Sequence, residues 1–284
     1  MAEAFKGWCD SVTAAAMEYF APELGTPATA GWPLTRLDHA LYVLAGYLVI
    51  VAVGLYNKAS AAGKPKPKAD RKKVGVMESF AQEPIKFVQC IYNLVQVLLC
   101  AYMIVGTIME YRKEGYSLIC NAFRPEQKGM AYFLWVFYVS KVLDFADTFF
   151  MVVRGNYRQI SFLHVYHHIS IYLMYWINVN AAYDGDIYFT IIANGSVHLV
   201  MYFYYFLTSL QIRPSWKMLV TLMQLVQFVC MNAQAIYILQ NDCPFPRRIT
   251  TVYLFYIISL FVLFMNFFLA SYCKKKTKKS TKVQ

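Results

Sequence analysis

The sequence predicts an all-α integral membrane protein with seven transmembrane helices, and three observations support this fold class. Of its 284 residues, 58% are apolar and 17% are aromatic, with a mean hydropathy of +0.39, which is more than a water-soluble core needs. A window of roughly 20 residues, the length of a helix that crosses a bilayer, finds seven apolar segments. Polar side chains inside these segments recur at helical spacing.

Each of the seven apolar segments is long enough to be one membrane-spanning helix. The fourth segment is the one that the sequence HVYHH opens at residue 164. The other six centre on residues 41–56, 88–106, 130–153, 187–207, 218–239 and 252–270.

The distribution of basic residues orients the predicted helices. With the N-terminus outside, the cytosolic segments hold 18 of the 27 Lys and Arg residues and the opposite side holds 8, which supports an odd number of spans. We therefore predict a luminal N-terminus (1–36), a basic cytosolic loop (57–86) and a basic cytosolic tail (274–284). The net charge of +11 follows from this topology or attracts an acidic, phosphate-bearing substrate. Nucleic acid is not an expected partner, because the basic runs lack a surrounding soluble fold.

Polar side chains lie on one face of five of the segments, and this spacing predicts a common interior site. An ionisable or amide side chain inside a membrane span is costly and usually turns toward the bundle interior. His164, His167 and His168 occupy positions 0, 3 and 4 of a helix, so they project from one face. The other stripes are Gln89, Asn93 and Gln96; Lys141, Asp144, Asp147 and Thr148; Asn194, His198, Met201, Tyr202 and Tyr205; and Thr221, Gln224, Gln227 and Gln234.

These stripes have structural alternatives. Lys141 and Asp144 can form an intramembrane ion pair alone, and the amides can form interhelical hydrogen bonds of about 0.6 kcal/mol each. Both interpretations stay open for the amides, whereas three histidines that face a fourth indicate a functional site. A di-iron desaturase or hydroxylase is one alternative, although it needs more histidine ligands than the five present. A seven-helix receptor or transporter is another, because the span count alone would suffice for it.

The seven cysteines form no CxxC metal pattern. Cys120 and Cys243 fall in two different loops on the non-cytosolic side, where an oxidising lumen permits a disulfide. Cys90, Cys100 and Cys230 lie in spans and more than one turn in sequence from any histidine. We interpret these three as packing residues rather than nucleophiles.

Four motifs together resemble the signature blocks of the ELO-type very-long-chain fatty acid elongases, the membrane 3-ketoacyl-CoA synthases. They are KVLDFADT at 141–148, HVYHH at 164–168, NGSVHLVMYFYY at 194–205 and TLMQLVQF at 221–228, and they stand in the family's order. The resemblance implies a single endoplasmic reticulum membrane domain over 1–284, in which six of the seven helices form a barrel around a closed-ended acyl tunnel. It also implies an acyltransferase that condenses a long-chain acyl-CoA with malonyl-CoA and needs no metal or other cofactor.

The resemblance also implies roles for individual residues. His167 would accept the acyl group opposite His198, because a neutral imidazole is a competent acyl acceptor. His164 and His168 would orient groups or shuttle protons, while the two aspartates would fix imidazole tautomers. Asn194 and Gln227 are candidate donors to an enolate oxygen. The candidate catalytic residues are thus His164, His167, His168, His198, Asp144, Asp147 and Lys141, and the candidate substrate-binding residues are Asn194, Gln224, Gln227, Tyr202, Tyr205, Lys217, Arg154 and Arg158.

Four further expectations rest on the same likeness. The HVYHH form looks more like the branch that elongates polyunsaturated chains. A luminal disulfide between Cys120 and Cys243 is implied, and Lys217 best matches the family's pattern for a partner of the CoA phosphates. The expected protein partners are the ketoacyl reductase, dehydratase and enoyl reductase that complete an elongation cycle.

Overall fold

The computed structural model describes residues 1–61 and 75–273, and these ranges contain nine α-helices and no strand. A 3-10 turn at Tyr157–Gln159 precedes the sixth α-helix, and a π-helical turn at Leu269–Cys273 extends the last one. The α-helices are α1 (Ala2–Phe20), α2 (Leu37–Ser60), α3 (Val76–Gln82), α4 (Pro84–Lys113), α5 (Lys128–Val153), α6 (Phe162–Ala181), α7 (Ile187–Ser209), α8 (Lys217–Gln240) and α9 (Arg247–Phe268).

Apart from α1 and the short α3, the α-helices coincide with the seven predicted apolar segments. Five of them, namely α2, α4, α7, α8 and α9 with its π-helical turn, are long and apolar enough to cross a membrane. The remaining two, α5 and α6, bear the Lys/Asp/Asp row and the three clustered histidines, which lower their apolarity. The prediction of an all-helical, multi-pass membrane protein is therefore confirmed.

The two ends of the bundle differ in chemistry. At one end, called the disulfide end below, a disulfide joins Cys120 in the α4–α5 connection to Cys243 in the α8–α9 connection. Asp186, in the α6–α7 connection, accepts hydrogen bonds from the backbone N–H groups of Cys120 (3.0 Å) and Asn121 (3.1 Å). Burial raises the pKa of Asp186, and its bonds to Asn121 oppose that shift. The opposite end, called the basic end, contains the α5–α6 and α7–α8 connections.

Close packing of α4 against α5 and α7 brings polar groups from these three helices together. Gly106 of α4 lies against the ring of Phe133 on α5, where an added Cβ would overlap the ring. Gly195 of α7 faces Ile104 of α4, whose nearest side-chain atom would lie 3.1 Å from a Cβ. The absence of side chains at these two positions lets the helix backbones approach closely.

The N-terminal region is more structured than its prediction as a luminal segment indicated. It contains α1, which the sequence analysis did not predict, and its residues 21–36 lie over the ends of α5 and α6. Trp176 donates from Nε1 to the carbonyl of Thr35 at 2.9 Å, and the Tyr138 hydroxyl donates to the carbonyl of Leu34 at 3.1 Å. This segment therefore closes part of the disulfide end.

The predicted basic loop 57–86 is partly helical. Residues 57–60 extend α2, residues 76–82 form α3, and α4 begins at residue 84. Residues 62–74 and the predicted tail 274–284 lie outside the described residues.

Candidate active site

The charged row of α5 forms a buried ion pair. Lys141 and Asp144 are three residues apart and therefore lie on one helix face. Lys141 Nζ is 3.0 Å from Asp144 Oδ2, and each residue is only 2% exposed. The ammonium group also lies 4.4 Å from the centre of the Phe137 ring. A pair buried this completely needs further hydrogen bonds to offset the loss of hydration.

Helices α4 and α7 supply those hydrogen bonds. Gln96 of α4 donates from Nε2 to Asp144 Oδ1 at 2.8 Å and to the Tyr92 hydroxyl at 3.0 Å. The Tyr202 hydroxyl of α7 lies 3.1 Å from Asp144 Oδ1 and 2.9 Å from Asp147 Oδ2. One phenol thus bridges the two carboxyl groups. The site is a single hydrogen-bonded network across three helices.

The histidines of α6 begin at the first turn of the helix. Ser161 caps this helix, and its side chain accepts a hydrogen bond from the backbone N–H of His164 at 3.2 Å. His164 Nε2 lies 2.7 Å from Thr148 Oγ1, which in turn donates to the Tyr47 hydroxyl at 3.3 Å. The ring centres of His164 and His168 are 4.4 Å apart. The predicted histidine face of α6 therefore meets the polar face of α5.

His198 of α7 completes the cluster. Its ring is nearly parallel to that of His167, with 27° between the planes and 6.4 Å between the ring centres. His198 Nδ1 lies 3.9 Å from Asp144 Oδ2, within reach of the ion pair. Within the described ranges, no hydrogen bond occupies a side-chain nitrogen of His167. The ring nitrogens of His167 are therefore unoccupied within these ranges. They lie beside His198, which in turn lies next to the Asp144 carboxylate.

Two of the predicted site residues carry a buried polar atom that lacks a hydrogen-bond partner in the described part of the chain. These atoms are His168 Nδ1 and Asn194 Oδ1. Asn194 precedes His198 by four residues, so both side chains lie on one face of α7. Buried polar groups are nearly always hydrogen-bonded in native proteins, so these atoms are candidates for contact with a bound molecule.

The other predicted binding residues lie at different depths of the bundle. Gln227 is buried, and its Nε2 lies 3.2 Å from the sulfur of Met231, a weak acceptor. Tyr205 is exposed, with 41% of its surface accessible. Gln224 is half-buried, and it lies 3.9 Å from the sulfur of Met201. None of these three contacts the carboxylates.

The basic candidates are separate from the histidines. Arg154, Arg158 and Lys217 are all exposed at the basic end of the bundle. Arg154 donates from Nη1 to Gln89 Oε1 at 2.6 Å. These residues lie at the basic end of the bundle and not in the buried cluster.

A small, partly open cavity lies among α6, α7, α8 and α9 toward the disulfide end. Thr190, on its wall, is eight residues before His198, which corresponds to about 12 Å along α7. The Thr190 and Tyr253 hydroxyls are 2.8 Å apart. Its lining residues include Asn178, Ile187, Thr190, Gln234, Ala235 and Tyr253.

The sequence indicated no catalytic or binding role for Tyr92, Gln96 or Tyr47. Gln96 was placed on an inward-facing stripe, and that spacing was the available signal. The two tyrosines gave none, because the chain contains 23 tyrosines. In the described ranges, no three His, Cys, Asp or Glu side chains converge as metal ligands.

Fold and site together define a class: a multi-pass helical membrane protein with imidazoles and a buried ion pair at its centre. A family model described as the GNS1/SUR4 family, ELO, matches residues 32–280. The chain belongs to this family.

Individual relatives agree with this assignment. "Very long chain fatty acid elongase 2" of Mus musculus is 37% identical over 198 residues, 66% of this chain and 67% of that protein. "Very long chain fatty acid elongase 4" of Homo sapiens is 34% identical over 206 residues, 70% of this chain and 66% of that protein. "Very long chain fatty acid elongase 5" of Tachysurus fulvidraco is 32% identical over 260 residues, 88% of this chain and 81% of that protein. The matches to the first two span about two thirds of those relatives' lengths.

Proposed function

We propose that the protein is a fatty acid elongase that condenses a long-chain acyl-CoA with malonyl-CoA to give a 3-ketoacyl-CoA, CO2 and CoA. The observation that supports this reaction best is the pair of facing imidazoles, His167 and His198, beside a carboxylate that an ion pair holds in place. Family membership favours it over an oxygenase, a receptor or a transporter. No cofactor is needed beyond the co-substrate malonyl-CoA.

The proposed architecture is a seven-span domain over residues 1–284, with six helices around an acyl tunnel closed at the disulfide end. The cavity among α6 to α9 would hold the distal part of the acyl chain. The N-terminus and the disulfide would face the lumen of the endoplasmic reticulum, because an oxidising compartment favours disulfides. The basic connections would face the cytosol.

The proposed first step is acyl transfer to His167. A ring nitrogen attacks the thioester carbonyl, the carbon–sulfur bond breaks, and CoA leaves with the proton that the imidazole loses. Support comes from the unoccupied nitrogens of His167 and from its position between the basic end and the cavity. The product would be an acyl-imidazole, which remains reactive toward a carbon nucleophile.

In the second step, malonyl-CoA loses CO2 and the electrons of the broken carbon–carbon bond form an enolate. The enolate carbon attacks the acyl carbonyl, the carbon–nitrogen bond breaks, and the imidazole takes up a proton as it leaves. Asn194 and Gln227 would donate N–H groups to the enolate oxygen. Within the described residues, Gln227 Nε2 contacts only the sulfur of Met231, a weak acceptor, so its N–H groups are available to a substrate. Asn194 Oδ1 has no partner in the same residues, and a turned amide would present Nδ2 at that position.

The remaining polar residues would position the reacting groups. Asp144, fixed by Lys141, would orient His198 through Nδ1, and Tyr202 would hold both carboxyl groups. His164 and His168 would relay protons, with His164 held by Thr148. Tyr205 and Gln224 would line the path of the substrate.

Binding of the two CoA substrates would use the basic end. Arg154, Arg158 and Lys217 are exposed there, and cationic side chains are natural partners of the CoA phosphates. The acyl substrate is proposed to be polyunsaturated, an inference that rests on the HVYHH motif. A ketoacyl reductase, a dehydratase and an enoyl reductase would act on the product in turn.

Trapping the acyl-enzyme tests this mechanism. Purified protein incubated with acyl-CoA alone is expected to gain the mass of one acyl group, located at His167 by peptide mass spectrometry. Adding malonyl-CoA should discharge that mass as 3-ketoacyl-CoA with stoichiometric CO2. His167→Ala should remove both the adduct and the product, whereas a folded His167→Ala protein that still elongates would refute the acyl-imidazole.

A further inference from the structure

Helix α1 carries its side chains on three separate faces. One face is turned to the bundle and contains Cys9, which is 1% exposed. A second face is exposed and apolar, and a third is exposed and charged. The apolar face, called the α1 stripe below, contains Trp8, Val12, Ala15 and Tyr19, and the charged face contains Glu3, Lys6, Asp10 and Glu18.

Both ends of α1 contact helices that are long and apolar enough to cross a membrane. Near the start of α1, the ring of Phe5 lies 5.5 Å from the ring of Tyr42, an exposed residue in the second turn of α2. Near its end, Arg248 of α9 donates from Nη1 to the carbonyl of Tyr19 at 2.7 Å and lies 5.0 Å from the centre of that ring. Helix α1 thus runs across the disulfide end, where α2 and α9 begin.

We propose that α1 is an in-plane membrane helix, with the α1 stripe inserted at the headgroup boundary of the leaflet at the disulfide end. Tyr42 lies on the outer surface of α2, and Phe5 of α1 packs against it. The exposed side of α1 is therefore continuous with the outer surface of α2. Trp and Tyr favour membrane–water interfaces, where one part of the ring is apolar and another is wet. Segregation of charge onto a separate face is typical of helices that lie in the interface.

The charge of α1 indicates which force holds it there. The helix has three acidic residues and one basic residue, so anionic lipids would not attract it. Insertion would depend on the apolar area of the stripe and on the two contacts with α2 and α9. Membrane depth should therefore be insensitive to the fraction of anionic lipid.

A pair of spin-labelled variants tests the proposal. Val12→Cys lies on the α1 stripe and Ala14→Cys on the opposite, water-facing side, in full-length protein whose exposed Cys230 and Cys273 are replaced by alanine. In phosphatidylcholine liposomes, with and without phosphatidylglycerol, collision rates with oxygen and with a water-soluble nickel chelate report depth. We expect the label at position 12 to favour oxygen several-fold and the label at position 14 to favour nickel, in both lipid mixtures.

Two results of the spin-label measurement would overturn the proposal. Nickel access at both positions would place the stripe in water, and shielding of position 12 from both reagents would place a protein partner, such as a second copy of the chain, on it. A measurement without added cysteines guards against misfolded variants. Brominated phosphatidylcholine should quench the tryptophan emission of the native protein more than that of Trp8→Phe, and equal quenching would contradict insertion.

Discussion

Replacing Gln96 with leucine tests whether a fixed Asp144 carboxylate supports catalysis. The amide donates one hydrogen bond to Asp144 Oδ1 at 2.8 Å and a second to the Tyr92 hydroxyl at 3.0 Å. Leucine is of similar size but has no donor. Because Asp144 is almost fully buried, water has little access to replace the lost bond.

The size of the effect follows from the hydrogen bonds that remain. A hydrogen bond to a charged group contributes about 1.5 to 3 kcal/mol, which corresponds to roughly 10- to 150-fold in rate if the whole loss falls on the transition state. Lys141 and Tyr202 still hold the carboxylate, so we expect a fall in kcat of roughly tenfold. KM for malonyl-CoA should change little, because Gln96 is remote from the basic end.

The assay is the release of CO2 from labelled malonyl-CoA, measured with purified protein beside its thermal unfolding. Asn93→Leu is the matched control, because Asn93 is an equally buried amide on α4 that donates to Ser209 Oγ at 3.1 Å and not to a carboxylate. Its loss should lower stability by about 1 kcal/mol and leave kcat within twofold. Equal kcat values for the two variants would refute the positioning role of Gln96.

Three further predictions concern separate parts of the molecule. Tyr202→Phe removes the hydroxyl that bridges both carboxyl groups, so kcat should fall by roughly ten- to 100-fold at saturating substrate, with no change in the amount of folded protein. Ala235→Leu narrows the cavity, so competition between acyl-CoA substrates of different length should shift toward shorter chains. An unchanged product profile would show that the cavity is not part of the acyl tunnel. Loss of the disulfide by Cys120→Ser or Cys243→Ser opens a closed loop of 123 residues and should cost about 2 to 5 kcal/mol of stability, measured as a lower unfolding temperature.

The histidine and carboxylate faces could be predicted because helical geometry is local. Residues three and four apart share a face wherever a helix forms, so the spacing of His164, His167 and His168 was sufficient. The partner that each residue of a stripe contacts depends on the neighbouring helices, and it can change from one end of the stripe to the other. Gln89 and Gln96 were predicted as one stripe, but Gln89 pairs with an exposed arginine at the basic end and Gln96 reaches the buried carboxylate.

Helix α1 and the tyrosine contacts were beyond prediction for different reasons. An interfacial helix has too few apolar residues for a search that seeks spans, and the stripe at Trp8 and Tyr19 becomes meaningful only once α2 and α9 flank it. Tyr47 and Tyr92 reach the site from helices far away in sequence. Tertiary packing alone selects them from the many tyrosines in the chain.

The proposed mechanism assigns different tasks to the charged groups of the site. Lys141 pairs with Asp144, and the Tyr202 hydroxyl joins that pair to Asp147. An imidazole that attacks a thioester carries positive charge until it loses its proton, and a site with little water cannot stabilise that charge by solvation. In the proposed reaction Asp144, whose Oδ2 lies 3.9 Å from His198 Nδ1, would be the carboxylate that offsets this charge. Lys141 would fix the position of Asp144, and the Tyr202 hydroxyl would couple it to the second carboxyl group, Asp147.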